Sequence, residues 1–552
     1  MNTQSRSLIY WGAVFLLLGA AIFSLKPGAV WITDNGNKYM MMRSFAQTGS
    51  LNLANSHPLP ELFPTGGFHF IKTPQGVRSF YPEYLSIFTS PFYKLFGERA
   101  ALILPVCATL LLLFLAWHFW HIPPPLLLVS TPLLFYSLLL WEMTPSVCLV
   151  TAVLLLVQKK HFPAAGAVLG ISLLMREEAY FVCAAMGGAM IVCRRWKECL
   201  KFGVGFLIPA GLIWTLQLSL HGHILGAHGK YYYLNNNADF TLLSQGKAAF
   251  FNYYHHLFRF DGWENSKLNL LVWSVLLLAG AGAAPGFKRW LNFKFLACVI
   301  CLGAMLCLAA GVFFHKNTIY SSSMLTGFLT ATPVIMGFTV NWHGFLRSRK
   351  FRLLSLFLLL YTLCVPPLMT ANDVGLVWGA RHFLVLLPCL VFLSTLGFRL
   401  MGLPKITLKR FSLKQLLFPG AIILSLFIQG YGLFALHRVS GESYKIEARL
   451  LAQPQKVIVT DLFYIPEQMP RLFFEKTVLQ VITSKDFTSA LKFLKEQQPR
   501  EFLLILSPQF RRMNDTVLKE LLTAAPLSAP PLRMTGAGGF PDLFAAKCTL
   551  RP

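Results

Sequence analysis

One carboxylate and a few cations, all in short polar segments, are the groups in this chain best suited to chemistry. Residues 31–39 read WITDNGNKY and directly follow the first apolar block, so Asp34 lies where the chain would leave a bilayer. A carboxylate there can deprotonate or orient a hydroxyl or amine, while cations stabilise a departing phosphate. Arg381, Arg176 and Lys316 are the candidate phosphate-binding cations. These are the residue types that transfer of a group from a lipid-linked phosphate would need.

Each of these residues also has a structural interpretation. Asp34 precedes a helical run that it can cap, and Arg381 can anchor the membrane interface or pair with Asp373. Residues 176–178 (REE) can form a solvated turn held by their own charges. Glu142 can cap the next apolar helix. The sequence leaves both kinds of interpretation open.

Further residues of the predicted site are acidic or aromatic. Glu83 and Glu142 are candidates for a second carboxylate. The predicted acceptor or sugar contacts are Tyr39, Tyr81, Trp378 and His382. Aromatic rings beside apolar spans are equally typical of the interfacial belt of membrane proteins, so their presence alone is weak evidence.

A metal site is not indicated by the motifs. His221, His223 and His228 have the spacing HxHx4H in a loop that also contains glycine, which matches no strong zinc signature. We expect that no cofactor is required, although a divalent metal would be compatible with phosphate chemistry.

The elements that must position these groups are membrane helices. Of the 552 residues, 55% are hydrophobic and only 13% are charged, and long apolar blocks are typical of a polytopic α-helical membrane protein. The formal charge of +26 comes largely from Lys and Arg in every second short loop, which indicates cytoplasmic loops and argues against a nucleic-acid partner. The partners expected are membrane lipids and the substrates.

We predict about thirteen spans. They lie near residues 8–25, 100–117, 123–141, 144–158, 161–175, 178–193, 200–220, 268–285, 294–314, 323–341, 352–370, 381–398 and 416–436. The basic loops place the N-terminus in the cytoplasm, and an odd number of spans then places the C-terminus outside. The membrane domain then covers residues 1–437, with outer loops at 26–99 and 221–267, and the unusual ionisable residues fall on the outer side. Because such groups are costly at the bilayer edge, their convergence on one face predicts a site there.

Residues 438–552 predict a small extracytoplasmic α/β domain. Short apolar runs at 456–460, 477–482 and 501–506 predict buried strands, and helical stretches at 487–497 and 515–523 follow the second and third of them. Without a glycine-rich phosphate loop, this domain is not expected to bind a nucleotide.

Five motifs, in order, resemble the GT-C glycosyltransferases, in particular the bacterial branch that includes protein O-mannosyltransferases and lipid A aminoarabinose transferase. Residues 33–51 are similar to the first outer loop of that family, where an acidic residue begins a helix ending in Gly-x-Leu. The other matching segments are 80–84 (FYPEY) with 90–97 (SPFYKLFG), 135–142 (FYSLLLWE), 174–178 (LMREE) and 378–382 (WGARH). Asn35 stands where many relatives have a second acidic residue, and Glu83 where relatives more often have glycine.

The resemblance implies an inverting transfer from a polyprenyl-phosphate sugar donor at the outer face of the bacterial cytoplasmic membrane. Asp34 would be the acid/base, and Arg381 would match a basic residue near the donor phosphate. The acceptor, whether lipid, glycan or protein, stays open. The alternatives are a transporter or flippase of lipid-linked sugars, or a non-catalytic component of polysaccharide assembly or export with the tail as a docking module.

Overall fold

The protein is described from a computed structural model. The described residues are 3–26, 28, 30–53, 70–73, 76–79, 81–227, 331–368, 381–400, 417–462, 464–496, 501–507, 513–528, 530–534 and 543–550. The predicted spans at 268–285 and 294–314 lie outside them, as do Lys316, Asp373 and Trp378.

Among the described residues before 452, the structure is helical apart from one short β-hairpin. In chain order its helices are α1 (Thr3–Ser24), α2 (Thr33–Thr48), α3 (Tyr84–Phe96), α4 (Ile103–Trp120), α5 (Pro124–Val129), α6 (Leu133–Ser137), α7 (Met143–Gln158), α8 (Phe162–Ile171), α9 (Glu178–Val192), α10 (Trp196–His221), α11 (Met336–Arg347), α12 (Arg352–Leu368), α13 (Leu387–Leu400) and α14 (Leu417–Leu451). Short 3-10 segments precede α4, α11 and α13 and follow α8. The hairpin pairs β1 (Phe70–Thr73) with β2 (Gly76–Ser79) between α2 and α3.

Helices able to cross a membrane are present, as the apolar blocks predict. Five in the described ranges are long and apolar enough: Ser5–Ser24, Tyr84–Trp120, Trp196–His221, Arg381–Leu400 and Phe418–Leu451. Four shorter apolar helices accompany them: Met143–Gln158, Phe162–Leu174, Glu178–Val192 and Arg352–Val365. The chain is thus a mostly helical, multi-pass membrane protein.

The predicted span at 123–141 is wrong. The segment forms only α5 and α6, of six and five residues, and the chain turns between them at Ser130 and Thr131. Pro132 follows this turn, and because proline lacks an N–H it cannot continue the helical hydrogen bonding from the residues before it. The segment ends in Trp141, which is fully buried, so it lies within the helical core.

Glycines allow several of these helices to approach closely. A Cβ on Gly166 of α8 would lie 2.0 Å from the carbonyl oxygen of Phe202, and one on Gly205 of α10 would lie 2.2 Å from that of Pro163. Small residues at such contacts let helix backbones pack directly where lipid gives no hydrophobic drive between helices. The contact fixes the position of α10, which ends at His221.

The C-terminal residues form a mixed five-stranded sheet. Its strands are β3 (Val457–Thr460), β4 (Thr477–Gln480), β5 (Glu501–Leu506), β6 (Leu532–Met534) and β7 (Leu543–Thr549), in the order β4-β3-β5-β7-β6. The first three strands are parallel, and β7 and β6 complete the sheet antiparallel. The helices here are α15 (Tyr464–Gln468), α16 (Pro470–Glu475), α17 (Ser484–Glu496) and α18 (Asp515–Ala524). Separate apolar clusters cover the two faces of the sheet.

Helix α14 joins the two parts and continues beyond residue 437, the predicted end of the membrane domain. Ile446 and Leu450 near its end belong to the apolar cluster on one face of the sheet. The C-terminal sheet is thereby attached to the membrane helices through a single continuous helix of 35 residues.

Candidate active site

Asp34 lies in the first turn of α2, as its second residue. The N-cap position is occupied by Ile32, so the specific prediction that Asp34 caps this helix is wrong. A carboxylate in the first turn is favoured by the helix dipole. The side chain is 9% exposed and accepts a hydrogen bond from the hydroxyl of Tyr81 at 2.5 Å on Oδ1 and one from Nη1 of Arg381 at 2.9 Å on Oδ2.

Asn35, the neighbour that replaces a second acidic residue, is part of the scaffold of this helix. Its side-chain oxygen accepts from the backbone N–H of Ile32 at 3.4 Å, and its amide nitrogen donates to the carbonyl of Leu140 at 3.3 Å. It is almost completely buried. A carboxylate could accept the first of these bonds but could not donate the second, which explains why an amide fits here.

Arg381 comes from the 3-10 segment Arg381–Leu386 that leads into α13. Its guanidinium also stands over the ring of Trp141 at 5.6 Å from the centroid and donates from Nε to Nε2 of His382 at 3.3 Å. Because Nε2 accepts this bond, Nδ1 carries the proton of a neutral imidazole. Nδ1 donates to Glu178 at 2.6 Å, and the backbone carbonyl of His382 accepts from Tyr361 at 2.7 Å.

Arg176 continues the chain of contacts. Its Nε donates to Oε2 of Glu178 at 2.7 Å, and a second bond joins Nη2 to Oε1 of the same carboxylate, while Nη1 reaches Glu142 at 3.3 Å. Arg176 and Glu178 are 9% and 5% exposed. The interpretation of residues 176–178 as a solvated turn is therefore wrong for these two side chains.

Lys38 also belongs to this set of buried charged groups. The sequence alone assigns it no role. Its Nζ lies 2.6 Å from Oε2 of Glu142, and the lysine side chain is fully buried. The ammonium group stands over the rings of Tyr81 and Trp141 at 4.9 and 5.9 Å from their centroids. Burial lowers the pKa of Lys38 from its ordinary value, against the opposing effect of Glu142 and Asp34. A usable signal was present, since Lys38 lies four residues after Asp34 and so on the same helix face.

We call this set the charge network: Asp34, Lys38, Glu142, Arg176, Glu178, Arg381 and His382. Its carboxylates and its Lys and Arg cations are equal in number, three of each. Buried charges are stable only when they are paired and hydrogen-bonded. The pairing within the network therefore allows Asp34 and the other charged groups to stay buried inside the protein.

Tyr81 donates its hydrogen bond to Oδ1 of Asp34. Burial raises the pKa of Tyr81 well above its ordinary value, and the negative charge of Asp34 raises it further. The hydroxyl accordingly stays protonated and acts as a donor over the physiological pH range.

Glu83 and His221 form a separate buried pair. Oε1 of Glu83 lies 2.9 Å from Nε2 of His221 at the end of α10. Of the three histidines in the HxHx4H motif, His228 lies outside the described residues. Glu83 also lines an open pocket with Glu177, Tyr180 and Trp214. Residues 176–178 contribute to both, because Glu177 lines this pocket while Arg176 and Glu178 belong to the charge network.

Tyr39 has a different environment from the one predicted for a substrate contact. It is buried in an apolar cluster with Met42 and Leu85, and its ring meets that of Tyr93 edge to face at 6.5 Å. Of the other predicted residues, the structure brings together Asp34, Tyr81, Glu142, Arg176, Arg381 and His382; Lys316 and Trp378 lie outside the described residues. Within the described ranges, no group of three or more His, Cys, Asp or Glu side chains is placed to hold a metal ion.

Comparisons with known proteins give structural similarity only. No protein-family model matches the chain, and no curated protein matches it in sequence. The chain is similar to ArnT from Cupriavidus metallidurans in the apo state, at 11% identity and a TM-score of 0.47, over 98% of both chains. It is also similar to the apo oligosaccharyltransferase of Archaeoglobus fulgidus, at 11% identity and a TM-score of 0.42, over 92% of this chain and 70% of that one.

Proposed function

We propose that the protein is a membrane glycosyltransferase that moves a sugar from a polyprenyl phosphate to a hydroxyl or amine acceptor, with Asp34 as the base. The observation that carries the proposal is the buried carboxylate of Asp34, held between the hydroxyl of Tyr81 at 2.5 Å and the guanidinium of Arg381 at 2.9 Å. A base and a phosphate-binding cation thus stand side by side, as the transfer requires.

The proposed reaction is a single displacement. Asp34 takes the proton of the acceptor as the acceptor atom bonds to the anomeric carbon. The bond from that carbon to the phosphate oxygen breaks, and its electron pair leaves with the polyprenyl phosphate. Because the acceptor enters opposite the leaving group, the configuration at the anomeric carbon inverts. Arg381 stabilises the charge that develops on the phosphate.

Donor binding would change the contacts of Arg381. The guanidinium is now paired with Asp34, and a phosphate that approaches it competes with this carboxylate. Exchange of Asp34 for the phosphate leaves Asp34 with less positive charge nearby, which favours its protonated form and so makes it a stronger base. The donor would in this way activate the group that deprotonates the acceptor.

Arg176 contributes differently from the direct phosphate contact predicted from the sequence. The guanidinium of Arg176 is already hydrogen-bonded to both Glu142 and Glu178. Glu178 in turn accepts a hydrogen bond from His382, the neighbour of Arg381. We assign Arg176 the role of holding this segment and contributing positive charge at short range. Lys316 and Trp378 keep their proposed roles at the donor phosphate and the sugar.

The proposed location is the outer face of the bacterial cytoplasmic membrane, with the N-terminus in the cytoplasm and the C-terminal domain outside. The distribution of basic residues among alternate short loops supports this orientation. We expect the reaction to need no cofactor, although a divalent metal would be compatible with it.

The test uses membranes that contain the wild type, Asp34→Asn, or the control Asp515→Asn, which makes the same change at an exposed position of α18. A radiolabelled polyprenyl-phosphate sugar is supplied with a membrane extract as the source of acceptors, and transferred label is counted. We expect Asp34→Asn to lose activity by about 10²–10⁴-fold, as is typical when a general base is removed, and Asp515→Asn to retain it. Wild-type transfer by a normally inserted Asp34→Asn protein would contradict the role of Asp34.

A further inference from the structure

The helix that carries Asp34 is in direct contact with the C-terminal domain. A Cβ built on Gly36 of α2 would lie 1.4 Å from the carbonyl oxygen of Glu467 in α15 and 2.6 Å from its carbonyl carbon. Any residue other than glycine would thus overlap the backbone of the C-terminal domain. Residues two apart on a helix do not face each other, so Gly36 meets this domain while Asp34 meets the charge network.

Side chains extend the contact along α2. Met40 and Met41 pack in one buried cluster with Phe473 of α16 and with Tyr81, the tyrosine that donates to Asp34. One turn further, the guanidinium of Arg43 stands 4.3 Å from the ring centroid of Phe474. The apolar and cationic groups on this side of α2 are therefore covered by residues 464–475.

Residues 464–475 are also hydrogen-bonded to α14. The hydroxyl of Ser443 donates to the carbonyl of Gln468 at 2.9 Å. Glu447 accepts from both the backbone N–H and Nε of Arg471, at 2.8 and 2.6 Å, and Arg471 also stands over the ring of Tyr444 at 4.3 Å. Tyr444 and Glu447 of α14 thus both contact Arg471, which fixes α14 relative to α16.

We propose that the C-terminal domain holds α2 in place through residues 464–475, and that Gly36 is a positioning residue for Asp34. The inference rests on the proposed function, since it concerns the placement of the catalytic carboxylate. A Cβ at position 36 needs about 3.4 Å to reach ordinary van der Waals contact, so α2 and α15 must separate by about 2 Å. A misplacement of about 1 Å is enough to lower a reaction rate on the order of 10²-fold.

The test compares purified full-length Gly36→Ala with Gly211→Ala, a change of a helical glycine in α10 that has no atom within 4 Å of its Cβ position. Donor dissociation constant and binding stoichiometry are measured by titration with the polyprenyl-phosphate sugar, and kcat by transfer of label. We expect Gly36→Ala to bind donor with unchanged stoichiometry and a dissociation constant within about threefold of wild type, and to lose about 10²-fold in kcat. Gly211→Ala should match wild type in all three.

A folded Gly36→Ala protein with wild-type kcat would overturn the proposal. A parallel loss of kcat and binding stoichiometry would instead show that the variant does not fold. If Gly36→Ala does not fold, Phe474→Leu removes the ring under Arg43 and decides the matter: a lower kcat with intact donor stoichiometry supports the proposal, and a wild-type kcat overturns it.

The proposed function and the positioning role of Gly36 can be refuted by different results. If Asp34→Asn transfers sugar like wild type, the assignment of Asp34 fails whatever Gly36→Ala does. If the wild type transfers no sugar, hydrogen–deuterium exchange still tests the structural claim, because amides of α2 should exchange faster in Gly36→Ala than in Gly211→Ala once the helix is no longer held. Equal exchange in both would overturn it.

Discussion

Replacement of Lys38 by methionine tests whether the charge network is a stabilising unit. The change keeps most of the side-chain volume and removes the ammonium group that lies 2.6 Å from Glu142, at positions where the two side chains are 0% and 5% exposed. Removing one partner of a buried ion pair costs about 3–5 kcal/mol, because the other charge is left without compensation. Since Arg176 still reaches Glu142 at 3.3 Å, we expect the lower end, about 3 kcal/mol.

The assay is a double-mutant cycle in detergent, with Lys38→Met, Glu142→Gln and the double variant, in which the free energy of unfolding is measured for each. The double variant should be less destabilised than the sum of the single variants, with a coupling energy of about 0.5–3 kcal/mol. Lys445→Met serves as control, because Lys445 is exposed and pairs only at the surface with Glu442, where ion pairs contribute about 0–1 kcal/mol. Lys38→Met at wild-type stability, or an additive cycle, would refute the reasoning.

The pH dependence of the Lys38 contribution has a definite sign. The pKa of Lys38 is lower in the folded protein than in the unfolded chain, so the unfolded chain binds more protons between the two values. Stability should then rise with pH across that interval, up to the ordinary lysine value of about 10.5. In Lys38→Met this rise should be smaller, which a series of unfolding measurements at increasing pH would reveal; an unchanged pH profile would count against it.

Three further predictions concern the neighbours of Asp34. Arg381→Gln should weaken donor binding and move the acidic limb of kcat/KM to higher pH by about 1–3 units, because a cation beside a carboxylate favours its charged form; the exposed Arg449→Gln is the control, and an unmoved limb in a folded protein speaks against the pairing. Tyr81→Phe should lower kcat while the alkaline limb stays in place, since the raised pKa of Tyr81 keeps it protonated; loss of an alkaline limb would show that Tyr81 titrates. Asn35→Asp should destabilise the protein by about 1–3 kcal/mol, because the carbonyl of Leu140 loses its donor, and wild-type stability would contradict this.

The sequence was a good guide to the site where the physical signal is local. Asp34 and Arg381 stand out because ionisable residues next to apolar spans are expensive without a partner, and the structure places them in one ion pair. Lys38 was missed because its partner Glu142 is distant in the chain. Its position four residues after Asp34 indicates that the two share a helix face, but does not predict that the lysine is fully buried. The contact of Gly36 with Glu467 joins two segments that are far apart in the chain. The sequence around Gly36 contains no pattern that would predict it.

The fold, too, was predicted correctly where the signal is local and missed where it is not. Strands β3, β4 and β5 were predicted because each is a short apolar run, and because helical segments follow the second and third of them. Strand β7 was not, because its sequence LFAAKCT contains two alanines and a lysine, which have little strand preference of their own. The segment 123–141 was read as one span from its hydrophobicity, whereas the turn before Pro132 divides it into two short buried helices.

The most direct test of the central claim is the single-turnover rate of sugar transfer in purified Asp34→Asn protein with the polyprenyl-phosphate donor already bound. The account predicts that the variant binds donor at wild-type stoichiometry, because Arg381 is intact and freed from its carboxylate partner, while transfer slows by about 10²–10⁴-fold. Transfer at the wild-type rate from the bound donor would show that Asp34 does not deprotonate the acceptor, and would contradict the account.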